Sequence, residues 1–160
     1  PKTNTIVRDG KQAVINPFDA SALERALALK DDFIGFGMDV RVTVVSMGIP
    51  ATESLLRDCI ARGADDALLL TDRAFAGADT LATTYALKCG IEALDEDFDL
   101  LICGKMAVDG DTAQIGPELA RRLRDSLRDR CELCADRRFC VVRLAFARPR
   151  LRCRRGDGLS

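Results

Sequence analysis

The chain has 160 residues, 48% hydrophobic and 31% charged, which is the balance of one globular domain. No apolar run approaches the ~20 residues a bilayer crossing needs, so no membrane span is expected. With no histidine, the chain lacks the commonest general base, the usual metal ligand and any imidazole-dependent triad, which argues against hydrolytic catalysis.

Pro1 to Gly10 lacks the ordered charged, apolar and small-residue regions of a secretory signal. A reducing cytoplasm is therefore the expected compartment for the seven cysteines, without a disulfide framework. The net charge of -1 hides an asymmetry: residues 1–120 carry 11 basic and 20 acidic side chains, whereas residues 121–160 carry 13 arginines and five acids. The sequence is accordingly read as a body, 1–121, and an Arg/Cys-rich tail, 122–160.

In chain order, residues 1–15 read as a turn at Asp9-Gly10 between short extended pieces. Asn16-Pro17-Phe18-Asp19 has the chemistry of a helix start: a capping amide, a proline suited to the first turn, and an acid at the positive end of the dipole. Leu23, Ala26, Leu27 and Lys30 continue that helix. Val40 to Met47 (VRVTVVSM) is a β-branched run ending at Gly48, the pattern of a buried strand.

Thr52 then reads as an N-cap, and Leu55, Leu56, Cys59 and Ile60 fall on one helical face before Gly63 stops the helix. Ala67 to Leu70 is the second strand. Asp79 to Leu94 forms a helix with Leu81, Tyr85, Lys88 and Cys89 along its expected apolar stripe, and Leu100 to Cys103 is the third strand. Cys59, Cys89 and Cys103 are expected as small core residues. Strands about 30 residues apart with helices between them indicate βαβ units, an α/β fold with a parallel sheet and right-handed crossovers.

The segment Asp99 to Leu119 (DLLICGKMAVDGDTAQIGPEL) concentrates the chemistry. A strand ends at Cys103, a glycine follows, and a polar loop leads into a helix that opens between Thr112 and Pro117. Backbone amides of such a loop and of the helix N-terminus point unpaired into the crevice at the strand's carboxyl end, where open α/β sheets bind nucleotides. Lys105 adds a positive charge, while Asp109 and Asp111 oppose a phosphate unless they face hydroxyls, backbone donors or a cation. The loop fits neither the GxxxxGK[ST] nor the GxGxxG pattern. An EF-hand fails too, with Gln114 where glycine is needed and Ala120 where the closing Glu belongs. On spacing alone, ligand binding and an ordinary βα connection both stay open.

The wording of four segments goes further. Ile15-Asn16-Pro17-Phe18, Val44 to Gly48 (VVSMG), Leu55 to Asp65 (LLRDCIARGAD) and Gly104 to Pro117 (GKMAVDGDTAQIGP) together resemble the beta subunit of electron transfer flavoproteins over about residues 3 to 120. The DGDTAQ form, with Asp72 to Thr80 (DRAFAGADT), is similar to that of anaerobes whose flavoproteins serve acyl-CoA reductases and bifurcate electrons. The resemblance implies a three-layer α/β/α fold like that of adenine nucleotide alpha hydrolases. It implies AMP or FAD on this chain, and an alpha subunit that carries a further FAD and completes the heterodimer. It also implies an acyl-CoA dehydrogenase or reductase as redox partner, and no catalysis by this chain itself.

Carried across by position, nucleotide contacts are expected from Asn16, Pro17, Phe18, Asp19 and Met47. The loop adds Gly104, Lys105, Met106, Ala107, Val108, Asp109, Gly110, Asp111, Thr112, Ala113, Gln114 and Ile115. No catalytic or metal-ligating residue is assigned.

Two departures from the family pattern stand out. Family members begin with a strand and a Val-Lys-containing loop that also touches the nucleotide; this sequence starts after them, and affinity is expected to suffer. From about Arg121 nothing matches the family, including its partner-docking arm, and the tail has the composition of a GC-rich sequence read out of frame. Val141 to Phe146 is the tail's one strand-like stretch. Cys131, Cys134, Cys140 and Cys153 include a CxxC pair but lack knuckle spacing for zinc. Competing functions are an ATP-using enzyme of the same fold, which would need a glycine-rich pyrophosphate loop after its first strand, and nucleic-acid binding through the arginines.

Overall fold

The computed structural model describes residues 14–94, 98–108, 112–126 and 141–146. Among the described residues, four α-helices and four strands alternate: α1 (Pro17–Gly35), β1 (Val40–Met47), α2 (Glu53–Ala61), β2 (Asp66–Leu70), α3 (Thr80–Ala93), β3 (Leu100–Ile102), α4 (Ile115–Ser126) and β4 (Val141–Phe146).

The VRVTVVSM run forms β1 because it can be buried on both faces. Val40, Val42 and Val44 pack with Leu23 and Ala26 of α1 and Leu56 and Cys59 of α2. Val45 packs on the opposite side with Leu87 and Ile91 of α3, Leu101 of β3, and Ile115, Leu119 and Leu123 of α4. One strand with two apolar faces makes a helix layer on each side of the sheet, a three-layer α/β/α sandwich. The two cores, not any single contact, hold the sheet. Each fully buried Leu or Ile contributes about 2–3 kcal/mol by removal from water.

The strand order is β2-β1-β4-β3. β1 and β2 are parallel, with Met47 opposite Leu70. β4 is antiparallel to both neighbours, pairing Val44 with Val142 on one side and Ile102 with Val142 on the other. β1 and β3 therefore run the same way, one strand apart, and the expected parallel sheet carries one reversed strand in its middle. The tail was read separately from the body, yet Val141–Phe146 lies in the body's sheet. Without β4, the facing edges of β1 and β3 would leave backbone groups without a ladder partner, and β4 supplies it to both.

Two local expectations need correction. The apolar stripe of α3 is not Leu81, Tyr85, Lys88 and Cys89. Leu81 and Tyr85 are more than half exposed, Cys89 is exposed, and the buried face is Thr83, Thr84, Leu87, Gly90 and Ile91. Gly90 explains the choice, because a Cβ there would sit 2.7 Å from Leu70 Cδ1, so this bare position is what lets α3 lie close on β2. Cys59 and Cys103 are core residues as expected. Thr52 does not cap α2 through its side chain; it closes a 3-10 turn, Pro50–Thr52, that leads into the helix.

Candidate functional site

The register fixes where the loops gather. Val44 of β1 and Ile102 of β3 both stand opposite Val142, so β1 runs on from Val45 to Met47 past the level at which β3 ends and its loop begins, and Met47 is level with Leu70 of β2. Met47-Gly48, Leu70 and Cys103-Gly104 thus lie along one edge of the sheet. The N-termini of α1, α3 and α4 come to that same edge.

The α1 terminus is tied to the loop after β3. Asn16 stands at the N-cap position with extended backbone, but its side chain does not cap the helix. Its Nδ2 donates instead to Met106 O at 2.7 Å and to Asp19 Oδ2 at 2.9 Å. The Asn-Pro-Phe-Asp segment was expected to start a helix, and it does; its amide also reaches across to a residue 90 positions away. Asn16 Oδ1 and Asp19 Oδ1 are buried without a hydrogen-bond partner.

Asp19 is 4% exposed. Burial pushes its carboxyl from 3.8 to about 8, the Asn16 amide pulls it down, the Cys59 thiol raises it, and a backbone hydrogen bond from Gly104 lowers it. Burial outweighs the helix dipole, which alone would favour the charged form. The group is mostly neutral at pH 7 and places little negative charge at the end of α1. Cys103, at the end of β3, is pushed up to about 12 by burial and then by the charge of Asp19, so it is an inert thiol.

The other expected residues fall as follows. Gly104 is buried, Lys105 and Val108 are exposed, and Met106 and Ala107 are half-buried. Met47 is half-buried and packs against the α3/α4 core. Pro17 is exposed and Phe18 half-buried. Asp109, Gly110 and Asp111 lie outside the described residues, as do the four tail cysteines and most of the tail arginines. Thr112 and Gln114 are exposed before α4, and Ile115 is fully buried beneath it.

Between Thr112 and Gln114, Ala113 has φ 55. This left-handed backbone is unusual for a residue with a Cβ and turns the chain into α4. The first-turn amides of Ile115 and Gly116 have no partner within the helix, and Pro117 has no N–H at all.

Sequence reasoning missed a cluster on the α3 side. Thr80 Oγ1 lies 3.1 Å from Glu118 Oε1 and 3.5 Å from Gln114 Oε1. Thr84, fully buried, accepts from Arg122 Nε at 3.1 Å. The signal was available: Asp79-Thr80 begins the helix after β2, at the edge where the other two helix ends meet, and Asp79 Oδ1 caps that helix through Ala82 N.

These residues offer hydrogen-bond donors and acceptors but no metal site. Among the described residues, no three His, Cys, Asp or Glu side chains converge on a point, and no helix is long and apolar enough to cross a membrane. The architecture and the gathering of three helix N-termini at the strands' carboxyl edge define an α/β domain of the kind that binds ligands there.

Comparison with known proteins makes the assignment specific. Residues 3–131 match the Electron transfer flavoprotein domain, and the chain belongs to the electron transfer flavoprotein family. It is 57% identical over 125 residues to "Protein FixA" of Azotobacter vinelandii, covering 77% of this chain and 43% of that protein. It is 49% identical over 123 residues to "Electron transfer flavoprotein subunit beta" of Clostridium acetobutylicum, covering 77% and 45%. It is 48% identical over 124 residues to "Caffeyl-CoA reductase-Etf complex subunit CarD" of Acetobacterium woodii, covering 78% and 45%. The chain thus spans less than half the length of these relatives, and β4 lies outside the family match.

Proposed function

We propose that this chain is the adenine-nucleotide-holding part of an electron transfer flavoprotein beta subunit, a non-catalytic component that works in the cytoplasm beside an FAD-carrying alpha subunit. The observation that carries the proposal is the tie from Asn16 Nδ2 to Met106 O, which joins the α1 terminus to the loop after β3 at the strands' carboxyl edge. The relatives named as beta subunits support the role, and the relative named as part of a caffeyl-CoA reductase complex supports an acyl-CoA reductase or dehydrogenase as redox partner.

The residues fit AMP or the adenylate half of FAD on their own chemistry. The buried acceptor Asn16 Oδ1 calls for a hydroxyl or amino donor, which a ribose or an adenine supplies, and a protonated Asp19, whose Oδ2 accepts from Asn16, has an Oδ1 hydroxyl to give to a ligand acceptor. The amides of Ile115 and Gly116 suit a phosphate at the positive end of α4. A neutral Asp19 keeps a further negative charge out of this edge of the sheet. When bound, an FAD would supply the redox chemistry. The chain's own residues orient it: Asn16 fixes the loop, Met47 and Gly48 form the edge, and Gln114 offers a side-chain amide at the helix end.

Mass analysis of small molecules released by denaturing protein co-expressed with an alpha subunit tests this, with AMP or FAD expected at about one per chain. Asn16→Ala together with Gln114→Ala is expected to abolish retention; a double variant that keeps its nucleotide would remove this edge of the sheet from the proposal.

A further inference from the structure

The α3–α4 contact carries an inference that builds on the nucleotide site proposed above. Glu118 is one helical turn beyond Gln114 and is joined to it by the backbone, Glu118 N donating to Gln114 O at 3.0 Å. Its side chain reaches the first residue of α3, where Thr80 Oγ1 lies 3.1 Å from Glu118 Oε1. Thr80 has one hydroxyl hydrogen and two acceptors in range, Glu118 Oε1 and, at 3.5 Å, Gln114 Oε1. The shorter contact to a carboxylate takes the hydrogen. Gln114 therefore stays beside Thr80 with its carbonyl oxygen open to another donor.

The hydrogen-bond inventory at Thr84 places Glu118 in the same frame. Thr84 Oγ1 is 2.9 Å from Thr80 O and 3.0 Å from Leu81 O, but 3.4 Å from Glu118 Oε2. Its single hydrogen goes to its own helix, while its lone pair accepts from Arg122 Nε. Arg122 also donates to Leu81 O at 3.3 Å and lies 5.9 Å from the centre of the Tyr85 ring. One face of α4, Glu118 and Arg122, thus grips the first turn of α3 through polar contacts, beside the apolar packing of Leu87, Leu119 and Leu123.

We infer that Glu118 is a positioning residue for nucleotide binding: it occupies the Thr80 hydroxyl, holds the N-termini of α3 and α4 at a fixed separation, and keeps the Gln114 carboxamide turned to the ligand. Without Glu118, the Thr80 hydrogen passes to Gln114 Oε1, and the amide meant for the ligand becomes an internal contact. The effect of Glu118 then runs through Gln114.

The test is a double-mutant cycle on the full-length protein with AMP as the probe, read by calorimetric titration well below the melting midpoint of every variant. Glu118→Ala is expected to weaken AMP about tenfold, and Glu118→Gln, which keeps an acceptor for Thr80, to bind within about twofold of the parent. Glu118→Ala is expected to add no further loss in the Gln114→Ala background. Leu119→Ala, a packing change in the same helix, controls for loss of stability and is expected to leave AMP affinity near that of the parent. Losses that add in the double variant, failure of Glu118→Gln to restore binding, or an equal loss in Leu119→Ala would overturn the inference. If Gln114→Ala binds AMP normally, the proposed site fails and the inference with it; if Gln114→Ala is weak while Glu118→Ala is normal, the inference alone fails.

Discussion

Asp19 makes the stability of this protein depend on pH in a range where few other groups titrate. Its folded-state pKa of about 8 stands above the 3.8 of an ordinary aspartate. Between those values the folded state holds a proton that the unfolded chain has lost. Stability is therefore fully present below about pH 4 and declines as pH rises toward 8. Ordinary carboxylates have finished titrating near pH 5, ordinary thiols start above 8, and the chain has no histidine. From pH 5 to 7.5 the expected loss is about 1.4 kcal/mol per pH unit, or about 3 kcal/mol in all. At roughly 2–4 °C per kcal/mol for a chain of this size, the melting midpoint should fall by about 6–12 °C. Asp19→Asn keeps an acceptor for the Asn16 amide but has nothing to titrate, so its midpoint should be nearly flat. Thermal unfolding followed by circular dichroism at half-unit pH steps measures both proteins. A flat parent profile, or an equal slope in Asp19→Asn, would refute a buried neutral carboxyl.

The same carboxyl predicts that the adenine nucleotide proposed for this site is released as pH rises through about 8, where the buried Asp19 takes on a negative charge, and that Asp19→Asn retains it; nucleotide in the filtrate after equilibration at pH 7 and pH 9 reports this. A Cβ at Gly48 would stand 2.5 Å from Thr52 Oγ1 and 3.1 Å from Thr52 Cβ, so Gly48→Ala must displace the turn that leaves β1. It is expected to cost about 1–3 kcal/mol in denaturant unfolding and to weaken AMP binding at the strand edge. Leu87→Ala, emptying a fully buried position between α3 and the sheet, should cost about 2–5 kcal/mol by the same measurement. Leu144→Pro tests the sheet order: Leu144 stands between Val42 and Leu100 in β4, and a proline there should cost at least about 3 kcal/mol. An unchanged unfolding midpoint would take β4 out of the sheet.

The sequence made the α/β fold and its strands legible because the strands are runs that only a doubly covered sheet can bury. VRVTVVSM leaves little choice, and β1 occupies those eight residues. α3 was harder. Its sequence, TLATTYALKCGIEA, has apolar residues all round, so periodicity did not single out a face. The decision was made by Gly90, which allows close approach to Leu70, and by two buried threonines whose polarity hid them from a search for apolar stripes. Thr84 meets its hydrogen-bonding needs within its own helix and from Arg122, which is what makes a polar residue tolerable there.

The candidate site divides along the same line. Local chemistry exposed the loop after β3 and the start of α1 as separate signals, a glycine with polar neighbours in one case and an Asn-Pro cap in the other. What joins them is a hydrogen bond across 90 residues, which no local pattern carries. The amide of Asn16 fitted the role of a cap by type and position, but it makes no side-chain cap, and its Nδ2 holds Met106 O and Asp19. A residue type predicted the place correctly and its partner incorrectly: a cap would use Oδ1 as acceptor for a first-turn N–H, whereas the tie uses Nδ2 as donor and holds the amide where Oδ1 meets no such N–H. The register sets what lies within reach: β3 ends at Ile102, level with Val44 and short of the end of β1, and the loop that follows it carries Met106 O to the α1 terminus.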